Sequence, residues 1–82
     1  MKLFSVQDTK AQAFMNPAAY RTSAEAIRSF QGSCQDPQTS FAKFPSDFIL
    51  FEIAEWDELT GTLTPHEKPR SLATASEFAS KS

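Results

Sequence analysis

The chain has 82 residues, of which 40% are apolar and ten aromatic, with one cysteine and a formal net charge of −2. It makes a single domain, 1–82, that buries only about 60–65% of the surface its unfolded form exposes, so a homo-oligomer is expected to help a marginal monomer. Cys34 alone excludes an intrachain disulfide, and the longest apolar run, Phe48–Phe51, is far short of the roughly 20 residues of a helical membrane span.

The start, "MKLFSVQDTK", has one lysine and no long apolar region, unlike a secretory leader, so the protein is expected to be soluble and to stay where it is made. Residues 2–7 alternate, Phe4 and Val6 against Leu3 and Ser5, which predicts a strand. Asp8 can cap a short turn. Residues 9–21 read as a connector with at most one helical turn, since Pro17 holds Asn16 extended. "TSAE" at Thr22–Glu25 matches a capping box and starts a helix that Pro37 ends by residue 36. Its predicted apolar stripe is Ala24, Ile27 and Cys34, with Phe30 beside it. Residues 37–47 read as loop.

Residues 48–56 predict a central strand, apolar on both faces at its start, with Ile49, Phe51 and Ile53 packed under the helix. "DELTG" predicts a hairpin turn in which Asp57 accepts backbone N–H bonds and Gly61 supplies a positive φ. "TLTPH" returns as a strand that Pro65 confines to the sheet edge. Ser71 can cap a final helix with Leu72, Ala75, Phe78 and Ala79 on one stripe, and 80–82 fray. The expected fold is α+β: a small, mainly antiparallel sheet in β-α-β-β-α order with helices on one face. A parallel pairing of 2–7 with 48–56 would require a right-handed crossover.

Charge is unevenly spread. Residues 1–43 sum to +2 and residues 44–82 to −4. Nonspecific coating of nucleic acid rests on a basic excess that this chain lacks, so any such contact needs a local patch, stacking or several subunits. No catalytic or metal-binding motif is present, and no cofactor is expected. His66 has no second histidine or cysteine near it in sequence and reads as solvated. Cys34 reads as a small core residue. Phe4, Phe30, Phe51 and Phe78 are assigned to the core; Tyr20, Phe41, Phe44 and Trp56 lie in loops or near strand ends. Lys43 between Phe41 and Phe44 is the one aromatic–basic interleaving.

Four motifs carry a family resemblance: D-x-K-A at Asp8–Ala11, F-x-K-x-P-x-D-[FY]-x-L-F-E at Phe41–Glu52, W-D-x-x-T-G at Trp56–Gly61, and P-x-S-L at Pro69–Leu72. In order and spacing the chain resembles, over nearly its whole length, the small nonstructural protein of gokushoviruses, single-stranded-DNA phages of the microvirus family. The resemblance implies a DNA-binding protein of the infected bacterium's cytoplasm, acting in the switch from genome replication to single-strand synthesis and packaging. It carries no binding residues with it. The charge asymmetry places DNA contact on the first half: Lys2, Lys10, Arg21, Arg28 and Lys43, with Tyr20, Phe41 and Phe44 as stackers. A second expectation, from a different class, is an adaptor whose acidic hairpin (Glu52, Glu55, Asp57, Glu58) engages a basic partner such as a phage replication initiator or capsid protein. An enzyme is not expected, because no acid–base or nucleophile pair is visible.

Overall fold

A computed structural model describes residues 1–79; the expected fraying at 80–82 lies outside them. Strand β1 (Lys2–Asp8) forms where the alternation predicts it. The Asp8 carboxylate then accepts from the Lys10 and Ala11 N–H groups at 3.0 and 3.2 Å and turns the chain. The segment 9–21 is more than a connector. Strands β2 (Ala13–Phe14) and β3 (Ala18–Tyr20) both pair antiparallel with β1, as one edge strand broken at Asn16-Pro17. Segments of two and three residues are too short to show an alternation, so sequence periodicity passes over them.

Helix α1 (Ser23–Gln35) starts at its predicted cap, with the Thr22 hydroxyl accepting from the Glu25 N–H at 3.2 Å. The Glu25 carboxylate meets the Thr22 hydroxyl at 3.5 Å in place of the expected Thr22 N–H. The buried stripe is Ala26, Phe30 and Cys34, with Ile27 partly buried and Ala24 exposed. The helix is therefore rotated from the predicted face, so that Phe30, its largest apolar side chain, lies at the centre of the contact. Residues 37–47 are more ordered than a loop. Thr39 caps a single-turn helix, α2 (Ser40–Lys43), by accepting from the Ala42 N–H, and a 3₁₀ turn comes next at Pro45–Asp47.

Strands β4 (Phe48–Asp57) and β5 (Thr62–Thr74) form the hairpin. Its turn is built as the residues predict: Asp57 Oδ1 accepts from the Leu59 N–H at 2.9 Å, and Gly61 has φ +72°. β5 runs past Pro65 and Pro69 at the sheet edge, to Thr74. The predicted helix from Ser71 is thus a strand, because residues 71–74 pair with Ile49–Phe51 and bury Ala73. Among the described residues a 3₁₀ turn, Ala75–Glu77, comes after it, capped by Thr74, whose N–H donates to the Glu77 carboxylate at 2.7 Å.

The sheet order is β2-β1-β4-β5, with β3 on the same edge of β1 as β2 and every pairing antiparallel. No parallel crossover exists between β1 and β4. The helices cover one face. There Phe4, Phe48 and Leu50 of the sheet pack with Ala26, Phe30, Cys34, Ala73 and Ala75. Phe41 joins them, its ring 5.5 Å from Phe30 and 4.9 Å from Phe48. Under α1 lie Phe48, Leu50 and Glu52; the row predicted there, Ile49, Phe51 and Ile53, is on the half-buried side. Phe51 is therefore not part of the helix-side core; it meets Phe14 at 5.4 Å on the other face. Both rows of β4 are apolar, and only the attachment of the helix distinguishes them.

Three irregularities shape the hairpin, one of them a single extra residue, Leu72, between the pairs Leu50–Ala73 and Phe51–Ser71. Opposite β1, Ile53 is an extra residue between the pairs Phe4–Glu52 and Leu3–Ala54. A bulge of this kind moves the side chains beyond it to the other face. Opposite β5, the pairs Glu52–Arg70 and Ala54–Pro65 leave His66–Pro69 facing Ile53 alone. Beyond this point the hairpin continues as an exposed arm.

Two glycines test the local geometry. Gly32 lies exposed inside α1 with open space where a Cβ would sit, so Gly32→Ala should raise the unfolding free energy by about 1 kcal/mol. Gly61→Ala forces a side chain into the left-handed region and should lower it by about 1–2 kcal/mol. Urea melts of the two variants should move in opposite directions from the parent.

Candidate functional site

The row Phe48, Leu50, Glu52 puts a carboxylate where the core would otherwise be apolar. Glu52 is 3% exposed, and burial without partners would be costly. Three segments converge on it. The Ser23 hydroxyl, at the start of α1, donates to Oε1 at 3.1 Å. His66 Nε2 sits 2.7 Å from Oε2. Lys2 Nζ on β1 lies 3.7 Å from Oε1, and Arg70 Nη1 on β5 lies 3.6 Å from Oε2. Burial pushes the Glu52 carboxyl upward, but the hydrogen bonds from His66 and Ser23 and the positive charge of Lys2 and His66 outweigh it. The net direction is below the ordinary carboxylate value.

This cluster corrects two expectations. His66 is not solvated: its side chain is only 9% exposed, because the His66–Pro69 bulge folds it inward. Glu52 is not part of an acidic surface and cannot reach a partner, because four side chains already cover it. Sequence reasoning passed over Ser23, His66 and Arg70. The available signal was Glu52 itself, an acid in an otherwise apolar row that demands partners.

The residues expected at a DNA interface divide between the two ends of the sheet. At one end, Thr9 donates its N–H and its hydroxyl to the Asp47 carbonyl at 2.8 and 2.9 Å. This docks the Lys10 turn against Pro45–Asp47, next to Lys43 and Phe44. Phe44 is 59% exposed. Arg28 lies on the outer side of α1. Among the described residues, no carboxylate lies within ion-pair distance of Lys10, Arg28 or Lys43. At the other end, Lys2 is engaged by Glu52 and by Glu55 at 3.6 Å, and Arg21 Nη1 lies 3.8 Å from Glu58. The candidate stackers divide as well. The Tyr20 ring packs 5.9 Å from Phe4, and its hydroxyl donates to Ser29 at 2.9 Å. Phe41 is wedged between Phe30 and Phe48. Neither ring is free to receive a base; Phe44 is.

The remaining acids of the expected adaptor surface, Glu55, Asp57 and Glu58, are exposed along the arm of the hairpin, with Leu59 at its tip 97% exposed. Cys34 is fully buried, and burial pushes its thiol up to about 11, as suits a core residue. No helix among the described residues is long and apolar enough to cross a membrane.

Residues 1–78 match the family model described as Phage ORF5 protein. The chain belongs to that family. It is therefore a bacteriophage protein, and the match spans every strand and helix described above. No curated protein and no solved structure matches the chain. In this member of the Phage ORF5 family, the buried carboxylate joins the two halves of the fold, while Lys10 and Lys43 lie together at the end of the sheet away from the acidic arm.

Because the folded Glu52 carboxyl titrates below its unfolded value, its contribution to stability is complete above the ordinary carboxylate range, about 4.3. That contribution is lost as the pH falls through the lowered folded value. Glu52→Gln should flatten the acid limb of unfolding free energy against pH. Glu52→Ala, which leaves Ser23, His66, Lys2 and Arg70 without their acceptor, should cost about 3 kcal/mol at neutral pH. Chemical denaturation at a series of pH values checks both.

Proposed function

We propose that the protein is a non-enzymatic accessory factor of a gokushovirus-type, single-stranded-DNA phage. It binds the viral single strand in the host cytoplasm and favours single-strand synthesis and packaging over further duplex replication. Two things support this reading: membership of a phage family and the resemblance carried by the four motifs. The observation that carries the choice of surface is the charge separation. Lys10, Lys43 and Arg28 have no acidic partner among the described residues, and Phe44 stands exposed beside Lys43. Cations that follow the phosphates, with one ring that a base can cover, are the minimal parts of a single-strand site. Lys2 and Arg21 are left out of it, because acids already neutralise them.

One further observation favours the adaptor as a second reading. Leu59 projects fully from a turn flanked by Asp57 and Glu58, the chemistry of a small apolar anchor within an acidic rim. A basic phage protein, such as a replication initiator or a capsid component, fits that tip.

Fluorescence anisotropy of a labelled oligonucleotide against salt separates the two. Three phosphate contacts should give a log–log slope of about −2 for the single strand. Lys10→Ala and Lys43→Ala should each make the slope shallower, and Phe44→Ala should weaken binding by roughly 1–3 kcal/mol. Absence of single-strand binding at low salt would sink the DNA reading and leave the arm to be tested against basic phage proteins.

A further inference from the structure

Among the described residues, no helix covers the face of the sheet opposite α1. The register places Leu3, Phe14, Ile49, Phe51, Trp56 and Leu63 together on it. Phe14 and Phe51 are in edge contact, and Trp56 lies opposite Leu63 across the hairpin. The Ile53 bulge brings the arm into this face by moving Ala54 and Trp56 onto the side of Leu3. Leu3, Trp56 and Glu58 line a shallow depression with Met1, Pro17 and Ala19.

The composition of this face is not that of a solvated one. A one-sided antiparallel sheet ordinarily turns polar residues to water. Here every paired strand position on the open face is uncharged, with Ser5, Gln7, Ser71 and Thr74 polar beside the apolar residues, and the paired charges Lys2, Asp8, Glu52, Glu55, Asp57 and Arg70 lie on the helix side. Phe14, Trp56 and Leu63 are each about half exposed, at 45, 45 and 50%.

We propose that this open face is the interface of a homodimer, two sheets packed face to face about a two-fold axis. Area and charge select a second copy as the occupant. The six side chains present apolar surface on the order of 450 Å². A standard interface buries about 800 Å² per partner, some 60% of it apolar, so the patch supplies the amount required. A nucleic acid is disfavoured because the cations at the rim of the face, the Met1 ammonium and Arg21, are already paired with Glu58. A charged protein partner would find counter-charge only at the rim, where Glu58 is already paired with the Met1 ammonium and Arg21. An uncharged, largely apolar sheet face is complementary to itself, and two such sheets stack about 10 Å apart with their inner side chains interleaved. The helices and the Lys10, Lys43 and Phe44 end then point outward from both copies. The inference stands whether or not those residues bind DNA.

The test is sedimentation equilibrium together with emission from Trp56, the chain's single tryptophan, from about 1 μM to 1 mM. A dimer gives 18.2 kDa, twice the 9.1 kDa chain, and a blue shift of Trp56 emission that tracks the rise in mass. Leu63→Lys and Trp56→Lys change half-exposed side chains and should keep the far-ultraviolet circular dichroism of the parent. Each should raise the dimer dissociation constant about tenfold or more. A mass of 9.1 kDa at every concentration overturns the proposal. So does a dimer that persists undiminished in both folded lysine variants, or one that forms without moving the Trp56 emission.

Discussion

A buried carboxylate organises this fold. Glu52 sits in the one row of β4 that α1 covers, and an unpaired charge there would not be tolerated. Its two oxygens are met from β1 by Lys2, from the start of α1 by Ser23, and from β5 by His66 and Arg70. Residues far apart in the chain must therefore arrive together. Every buried polar side-chain atom among the described residues has a hydrogen-bond partner, so the cluster is satisfied as well as central. Pairs of this kind add little net stability over an apolar core, but losing one partner is expensive. Glu52 thus acts chiefly as a constraint on register.

The constraint has a geometric consequence. For His66 to reach Glu52, β5 must leave the regular ladder over His66–Pro69 and rejoin it at Arg70. Ile53 takes up the mismatch on the β1 side. The hairpin is thereby divided into a base, which belongs to the core, and an arm, which does not. The molecule is correspondingly long, 46 × 24 × 17 Å. The bulges at Ile53 and His66–Pro69 sort the side chains by character. At the paired positions, charges stay on the helix face, and the far face is uncharged and largely apolar.

Charge is sorted lengthwise too. Thr9 ties the Lys10 turn to the Asp47 carbonyl, so Lys10 and Lys43, two cations without acidic partners among the described residues, meet at one end of the sheet. The antiparallel pairing of β1 with β4 puts Lys2 opposite Glu55, so at the other end cations and acids cancel. A chain with a net charge of −2 can in this way still leave cations without acidic partners, which its overall composition conceals.

Local chemistry was legible from the residues alone. The Thr22 cap, the Asp57–Gly61 turn, the alternation of β1 and the edge position forced on β5 by Pro65 all depend on neighbours within a few positions. So does the α+β class, which comes from where strand and helix patterns fall. What the residues could not reveal depends on contacts between distant segments. The apolar rows of β4 are near-equivalent by pattern, and only the docking of α1 made Phe48, Leu50 and Glu52 the inner one. Residues 71–74 have the spacing of a helix, yet pairing with Ile49–Phe51 draws them into β5. Phe41 and Tyr20 looked available to a ligand until the core and Ser29 claimed them. His66 and Glu52, fourteen residues apart, met only because a bulge turned one toward the other. Short-range hydrogen bonding and steric preference act along the chain and can be read there, whereas burial is decided by whichever distant surface arrives to exclude water.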